Sequence, residues 1–224
     1  MDWSAIGLSV QLATVVSFVL LIIGLPAAYW LTFSRWRWKF LVESVVALPL
    51  VLPPTVLGFY VLMAVGSRSP IGRAWERWTG HGLAFTFEGL VLASILYSLP
   101  FAVQPIASAF AQVDRSLIEA SATLGSSRWR TGVRVLIPLS VEGIVTGIVL
   151  SFAHTLGEFG VVLMVGGNLP GITRTVSIAI YDQVQGFHYA EANATALLLL
   201  IFSAAVLAGV YAIVRKPWAV APVR

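Results

Sequence analysis

Two ionisable residues lie four positions apart inside an apolar stretch of the sequence, His154 and Glu158. Residues at positions i and i+4 share one face of a helix, so the imidazole and the carboxylate can approach each other. Such a pair could act as a general acid and base, which makes a membrane enzyme one candidate. A metal site would need more ligands, and the chain has only 3 His and no Cys. We favour a hydrogen bond between the two side chains, or from them to another span.

Other acidic residues at the edges of apolar stretches have simpler explanations. Glu43 follows Trp38 and Lys39 closely, which predicts a structural ion pair at the inner membrane interface. Glu142 follows Pro138, and we expect it either to hold the preceding polar segment against the spans or to be solvated. The chain contains neither a G-x4-G-K-[ST] run nor an H-E-x-x-H run. It therefore lacks the phosphate-binding loop of an ATPase and the zinc motif of a membrane metalloprotease.

The composition is that of an integral membrane protein. Of the 224 residues, 58% are hydrophobic and 11% are charged, whereas about 25% of residues are charged in soluble domains. The net charge of +4 is better explained by basic residues at membrane flanks than by nucleic-acid binding. We expect a single transmembrane domain over residues 1–224 with its core at 6–214. The first apolar stretch exceeds the core of a signal peptide and is expected to be a retained span.

Five segments are long and apolar enough to cross a bilayer as helices, which predicts an all-α fold. They run approximately over Ile6–Phe33, Leu41–Val65, Phe85–Phe110, Val141–Val165 and Ala192–Val214. The second contains Pro49, Pro53 and Pro54, which predict a kink or a break because proline lacks the N–H that a helix needs. That segment can be two half-helices, or part of it can be re-entrant. Short surface helices are predicted within 66–84 and over Thr175–Gln185.

The basic residues favour an orientation with the N-terminus outside and the C-terminus in the cytoplasm. In that orientation the outer segments hold Arg68, Arg73, Arg77 and Arg174. The cytoplasmic segments hold the other basic residues: Arg35, Arg37, Lys39, Arg115, Arg128, Arg130, Arg134, Arg215, Lys216 and Arg224. Because cytoplasmic loops of membrane proteins carry the excess of Lys and Arg, this arrangement is the expected one.

One long polar segment, residues 114–138, separates the third and fourth apolar segments. Ser116–Leu124 is predicted to be a short helix that ends at Gly125, since glycine is the usual residue just past a helix end. Ser126 and Ser127 can cap a second helix. Two short helices that meet at a glycine form a compact projection. Helices are commonly recognised by grooves on partner proteins, so this projection is a candidate docking element.

The polar segment resembles the E-A-A-x3-G-x9-I-x-L-P signature of permease subunits of bacterial ABC importers. The matching residues are Glu119-Ala120-Ser121, Gly125 and Val135-Leu136-Ile137-Pro138, with mild replacements at Ser121, Val135 and Ile137. In that family the segment is the coupling helix, which lies in a cleft on the ATPase subunit. The resemblance implies that Glu119 accepts hydrogen bonds or an ion pair there, and that Ala120 and Ser121 allow close approach. Arg128, Arg130 and Arg134 are expected to meet acidic groups of the partner.

Two further blocks resemble oxyanion permeases. Glu43–Tyr60 is similar to the second span of molybdate and sulfate permeases, and Leu156–Tyr181 is similar to molybdate permeases in particular. The resemblance implies the type I ABC importer fold, a homodimer and two ATPase subunits that carry ATP and Mg. It also implies a periplasmic or lipid-anchored molybdate-binding protein, and no cofactor on this chain. Sulfate or tungstate as substrate, and a self-sufficient channel or ion-coupled carrier, stay open as alternatives.

The predicted translocation path lies near the proline-rich break, at Pro53, Pro54, Thr55 and Gly58. Backbone amides that are freed there attract oxyanions, and the Thr55 hydroxyl adds a polar contact. Glu158 is expected to face packed protein, because a fixed carboxylate would repel a dianion. The spans hold almost no Lys or Arg, which suits transient passage better than tight binding. Gly143-x3-Gly147, Ala204-x3-Ala208 and Ala205-x3-Gly209 predict close helix contacts, within the chain or between subunits.

Overall fold

A computed structural model describes residues 2–213 as helices joined by short connections, with no strand in that range. Three helices are each long and apolar enough to cross a membrane: α1 (Trp3–Phe33), α5 (Phe87–Gln112) and α12 (Tyr189–Ile213). They confirm the first, third and fifth predicted spans. The predicted end of the fifth span at Val214, and the basic residues Arg215, Lys216 and Arg224, lie outside the described residues.

The second predicted span is broken at its prolines. It consists of α2 (Lys39–Ala47), a 3₁₀ turn (Leu48–Leu50) and α3 (Pro54–Val65). The two arms are bent by 111°. Pro53 and Pro54 cannot donate to a helical hydrogen-bond ladder, so the first helix ends before them and the second begins at Pro54. The predicted interruption is confirmed, and both of the predicted arrangements, two half-helices of one span or a partly re-entrant segment, agree with this bend.

The prediction of one continuous helix from Val141 to Val165 was wrong. The segment forms α9 (Val141–Gly157) and α10 (Gly160–Gly166), separated by Glu158 and Phe159. Glu158 has extended backbone angles, φ −65° and ψ 134°, and its carboxylate accepts the Val161 N–H at 2.8 Å. A side-chain acceptor before the first turn starts a new helix, as a cap residue does. By contrast, α5 continues through Pro100 and Pro105 without interruption.

Short helices occupy the connections where the sequence predicts them. The connection between α3 and α5 contains α4 (Pro70–Thr79), and the connection between α10 and α12 contains α11 (Val176–Gln185). The polar segment contains α6 (Arg115–Thr123), α7 (Arg128–Thr131), a π-helical turn (Gly132–Leu136) and α8 (Ile137–Leu139). The axis then bends by 75° as the chain enters α9. The two short helices on either side of Gly125 are therefore confirmed.

The core forms where α1, α5 and α9 pack together. Large side chains of α1 and α5 are fully buried there, among them Leu12, Val16, Leu20, Leu90 and Ile106. Glycine allows α9 to approach α5 closely: a Cβ on Gly147 would lie 2.8 Å from the Ala102 carbonyl oxygen, and one on Gly143 would lie 2.8 Å from that of Pro105. Inside a membrane, helices gain no hydrophobic free energy by associating, so small residues stabilise their contact by allowing close packing. The Gly143-x3-Gly147 face is thus an intramolecular contact.

The small-residue faces of α12 are different. Ala204, Ala205, Ala208 and Gly209 are exposed in the single chain, and a Cβ on Gly209 would meet nothing within 4 Å. Among the described elements, α12 packs mainly against α11 and α9. Its outer face therefore has room for lipid or another protein.

The close contact between α5 and α9 leads to a stability prediction. Gly147→Leu places a side chain against the backbone of Ala102, which cannot move aside cheaply. Overpacking of this kind costs about 1–3 kcal/mol. We expect a lower thermal unfolding midpoint for this variant in detergent. Gly209→Leu, where the space is open, serves as the matched control and should leave the midpoint unchanged. Equal midpoints for the two variants would contradict this account of the contact.

Candidate functional site

The polar segment 114–138 begins with a well-made helix cap. The Asp114 carboxylate accepts the Ser116 N–H at 2.9 Å. This hydrogen bond, together with one from the Ser116 hydroxyl, holds the pKa of Asp114 below its usual range. The carboxylate therefore stays ionised at neutral pH, where it favours the N-terminus of α6 through the helix dipole.

Gly125 turns the chain sharply between α6 and α7. Its φ of +78° lies in the left-handed region, where glycine carries no steric penalty. The Gly125 N–H donates to the Ala122 carbonyl at 3.0 Å and the Ser126 N–H donates to the Ser121 carbonyl at 3.1 Å. This pair of bonds is the Schellman arrangement that ends a helix. Ser127 then caps α7 by accepting the Arg130 N–H at 3.3 Å.

A side-chain hydrogen bond holds the two short helices together. The hydroxyls of Ser121 and Thr131 are 2.9 Å apart, and Thr131 is buried. The replacement of the signature alanine by Ser121 therefore adds a bond within the segment. With this bond and the turn at Gly125, α6 and α7 form one compact unit.

The exposed surface of this unit contains most residues that the signature singles out. Glu119, Ala120, Gly125, Arg128, Arg130 and Pro138 are all exposed, and Ser121 is half-buried. Two residues that the sequence analysis missed are also there: Leu124 is 85% exposed and Trp129 is 81% exposed. Large apolar side chains on a polar projection are typical of a protein-binding surface. Their presence in an otherwise polar stretch was the signal that could have identified them.

A second candidate site is a groove of about 610 Å³ between α3, α5, α9 and α10. Its polar lining includes Thr55, Tyr97, His154 and Glu158. Of the predicted path residues, Pro54 and Thr55 lie in this groove. Pro53, which directly precedes Pro54 in the chain, is exposed. Gly58 is buried against α10, where a Cβ would lie 2.8 Å from the Met164 Cβ.

His154 is bound to α5 rather than to Glu158. The Ser98 hydroxyl lies 3.0 Å from His154 Nδ1 and 2.9 Å from the Thr155 hydroxyl. The imidazole stacks on Phe101 with ring centroids 4.0 Å apart. Glu158 is only 5% exposed and bonds to the start of α10. The structure thus selects the hydrogen bond to another span among the arrangements that the sequence allowed. Within residues 2–213, no three acidic or histidine side chains cluster closely enough to hold a metal ion.

Ion pairs lie near both ends of the bundle. Lys39 pairs with Glu43 at 3.2 Å and donates to the Leu31 carbonyl at 2.9 Å, which confirms the predicted structural pair. Glu142 is exposed, which favours simple solvation. At the other end, Arg174 pairs with Asp182 at 3.1 Å, donates to Asn168 Oδ1 at 2.7 Å and lies 3.8 Å from Asp2. This network joins α1 and α11, and the sequence analysis did not predict it.

The helical bundle, its broken spans and its projecting polar segment define a membrane transport component. Residues 5–217 match the family described as the inner membrane component of binding-protein-dependent transport systems. The chain is 48% identical over 211 residues to the molybdenum transport system permease protein ModB of Azotobacter vinelandii, which covers 94% of this chain and 93% of that protein. It is 39% identical over 184 residues to ModB of Escherichia coli strain K12, which covers 82% of this chain and 80% of that protein.

The fold is that of ABC importer permeases. A chain of a bacterial ABC transporter involved in the import of alginate superposes with a TM-score of 0.76 at 16% identity, over 95% of this chain and 78% of that chain. A chain of the MetNI methionine ABC transporter, in an inward-facing conformation, superposes with a TM-score of 0.73 at 18% identity. The superposition covers 96% of this chain and 95% of that chain. This protein therefore belongs to the family of binding-protein-dependent transport system inner membrane components.

The left-handed turn at Gly125 leads to a prediction about local stability. Gly125→Ala adds a Cβ in a conformation that costs an L-residue about 1–2 kcal/mol, so we expect faster amide hydrogen exchange over residues 121–127. Gly132→Ala is the matched control, because Gly132 lies in the same segment with right-handed helical angles. It should leave exchange there unchanged. Unchanged exchange in the Gly125→Ala variant would show that the turn carries no such constraint.

The buried carboxylate of Glu158 leads to a second prediction. Glu158→Leu removes the acceptor for the Val161 N–H, and loss of such a cap costs about 0.5–2 kcal/mol. Glu158→Gln keeps an acceptor oxygen and should lose less stability. We expect the thermal midpoint of the chain in detergent to fall in the order native, Gln variant, Leu variant. Glu88→Leu, at an exposed position, is the control for removing one carboxylate. If the Leu variant were as stable as the Gln variant, the cap would be unimportant.

Proposed function

We propose that this chain is the transmembrane subunit of an ATP-driven importer that moves molybdate, and equally tungstate, into the cell. The observation that carries the substrate assignment is the 48% identity over 94% of the chain to a molybdenum transport permease. Agreement over nearly the whole length includes the segment 114–138 and the broken spans that line the groove. The resemblance of Leu156–Tyr181 to molybdate permeases lies within this aligned length and agrees with it.

In this proposal the whole chain, residues 1–224, is one permease domain with its N-terminus outside and its C-terminus in the cytoplasm. Support for the orientation comes from Arg35 and Arg128, which lie on the walls of one groove at the same end of the bundle. That end collects the basic residues that the positive-inside rule assigns to the cytoplasm. Arg174, at the opposite end, is paired with the Asp182 carboxylate and donates a hydrogen bond to the Asn168 side chain.

The working complex would contain two copies of this chain, two ATPase subunits and a periplasmic or lipid-anchored binding protein. ATP and Mg would bind to the ATPase subunits. The segment 114–138 would lie in a cleft of the ATPase, with Leu124 and Trp129 filling apolar space beside Glu119. Two-fold symmetry is the commonest closed arrangement of identical subunits. It would place the two segments so that closure of the ATPase pair moves them together.

Movement of the segment would reach the membrane through α9. The chain passes from α8 to α9 through the single buried residue Ser140, and α9 is pressed against α5 at Gly143 and Gly147. The other end of α9 carries His154 into the groove. A displaced segment 114–138 would therefore change the groove walls. ATP and the binding protein must each favour one of the two states, because a ligand that binds both states equally couples nothing.

The groove beside Pro54 and Thr55 is the proposed translocation path. Besides Glu158, its lining offers a hydroxyl from Thr55, the phenol of Tyr97 and the imidazole of His154, and none of its lining residues between 2 and 213 is Lys or Arg. A weak set of polar contacts lets an oxyanion enter and leave, whereas a deep site would trap it. Of the four residues predicted from the sequence, Pro54 and Thr55 line this groove, whereas Pro53 lies outside its lining and Gly58 is buried against α10.

The test is ATP-driven uptake of radiolabelled molybdate in vesicles that contain this chain, the ATPase and the binding protein. The double variant Glu119→Arg plus Gly125→Trp should abolish uptake and lose the ATPase on purification, because it reverses a charge and adds bulk at the docking surface. Glu88→Arg, at the opposite end, is the matched control for charge reversal and should retain uptake.

Competition and omission experiments separate the remaining possibilities. Uptake that excess sulfate does not reduce, and that tungstate does reduce, is the expected result. Strong competition by sulfate would show that the importer accepts a broader class of oxyanions than molybdate and tungstate. Uptake without the ATPase, or equal uptake by the native chain and the double variant, would contradict the importer and favour a channel or an ion-coupled carrier.

A further inference from the structure

A groove of about 730 Å³ lies between the end of α1 and the segment 114–138. We call it the basal groove and define it by Tyr29, Phe33 and Arg35 on one wall and Ile118, Arg128 and Leu136 on the other. Phe33 is the last residue of the long span α1. The groove therefore lies at the edge of the membrane, beside the end of the bundle from which the polar segment projects.

The lining of the basal groove combines apolar side chains with two arginines. Tyr29, Phe33, Ile118 and Leu136 supply apolar surface. Arg35 and Arg128 line the groove together with small hydroxyl side chains, and none of its lining residues between 2 and 213 is acidic. Neither arginine forms an ion pair with any residue between 2 and 213. Two cations therefore border a largely apolar groove, and no carboxylate among residues 2–213 forms an ion pair with them.

We propose that the basal groove binds an anionic phospholipid. The phosphate of the headgroup lies between Arg35 and Arg128, and an acyl chain lies along Tyr29 and Phe33. Basic pockets beside spans at the cytoplasmic surface are suited to anionic headgroups, and arginine binds phosphate through paired N–H groups. The basal groove offers both features at membrane depth, which a free phosphate site would not require.

This assignment gives Arg128 a role different from the one that the signature suggests. The sequence analysis expects Arg128 to meet acidic groups of the ATPase, whereas the structure places it on the wall of a groove that it shares with the end of α1. A lipid that spans the groove would tie the segment 114–138 to the end of α1 across a gap that protein atoms leave open. The proposal depends only on the membrane location of the chain and holds whatever the transported substrate is.

The experiment is native mass spectrometry of the purified full chain, titrated with phosphatidylglycerol or phosphatidylcholine of the same acyl composition. We expect phosphatidylglycerol to bind about thirtyfold more tightly, because each of the two basic residues near the anionic headgroup adds about fivefold in affinity. Arg35→Gln plus Arg128→Gln should weaken phosphatidylglycerol by about thirtyfold and leave phosphatidylcholine unchanged. Arg37→Gln plus Arg134→Gln removes the same charge from exposed positions outside the groove and should retain the preference.

A steric variant provides a test that leaves every charge in place. Gly132 lines the groove, has helical backbone angles and would meet nothing within 4 Å if it carried a Cβ. Gly132→Leu should therefore fold normally, fill the groove and release phosphatidylglycerol. Gly7→Leu, at an open position on α1, is its matched control and should bind lipid as the native chain does.

Any one of four results would overturn the proposal. Equal affinity for the two lipids, or an undiminished preference in both the double arginine variant and Gly132→Leu, would show that the groove is not the site. Displacement of bound phosphatidylglycerol by millimolar inorganic phosphate or glycerol phosphate would show a site for free anions. Loss of the lipid when the ATPase is added would assign the basal groove to the protein partner.

Discussion

Backbone N–H groups inside a bilayer must find their partners within the protein, and this constraint governs both broken spans. The break before α3 leaves few donors to satisfy, because Pro53 and Pro54 have none. The Pro53 carbonyl accepts from Val56 at 2.9 Å and from Leu57 at 3.2 Å. At the second break, the Glu158 carboxylate accepts the Val161 N–H at 2.8 Å. Each interruption thus carries its own means of satisfying the backbone.

The two breaks are also placed against each other. A Cβ on Gly160, at the start of α10, would lie 2.6 Å from the Pro54 Cβ at the start of α3. Irregular backbone from one span therefore shields irregular backbone from the other. The groove that Thr55 and His154 line lies beside this contact, and Pro54 and Gly160 also line it. Non-helical backbone at membrane depth is tolerated where it is buried in protein or lines a cavity, and here it does both.

Apolar length and proline positions were sufficient to predict the long spans and the break at Pro53. The polar segment could be divided correctly because Gly125 and the serines after it are local signals whose effect does not depend on the rest of the fold. The break at Glu158 was missed because its glycine neighbours are weak signals in an apolar run. The close approach of Gly160 to Pro54, which accompanies the break, is a tertiary contact that the local sequence does not show. The network of Asp2, Arg174 and Asp182 joins parts of the chain that are distant in sequence and that only the tertiary fold brings together.

The position of Glu158 reconciles a buried carboxylate with the passage of an anion. Its carboxylate accepts the Val161 N–H at the start of α10, and the residue as a whole is buried. The groove is left with the hydroxyls of Thr55 and Tyr97 and the His154 ring as its other polar groups. Such a lining cannot distinguish oxyanions of similar size strongly, because discrimination needs buried polar groups that only one substrate satisfies. If this groove is the path, substrate choice must therefore be made before the anion reaches the membrane, by the protein that delivers it.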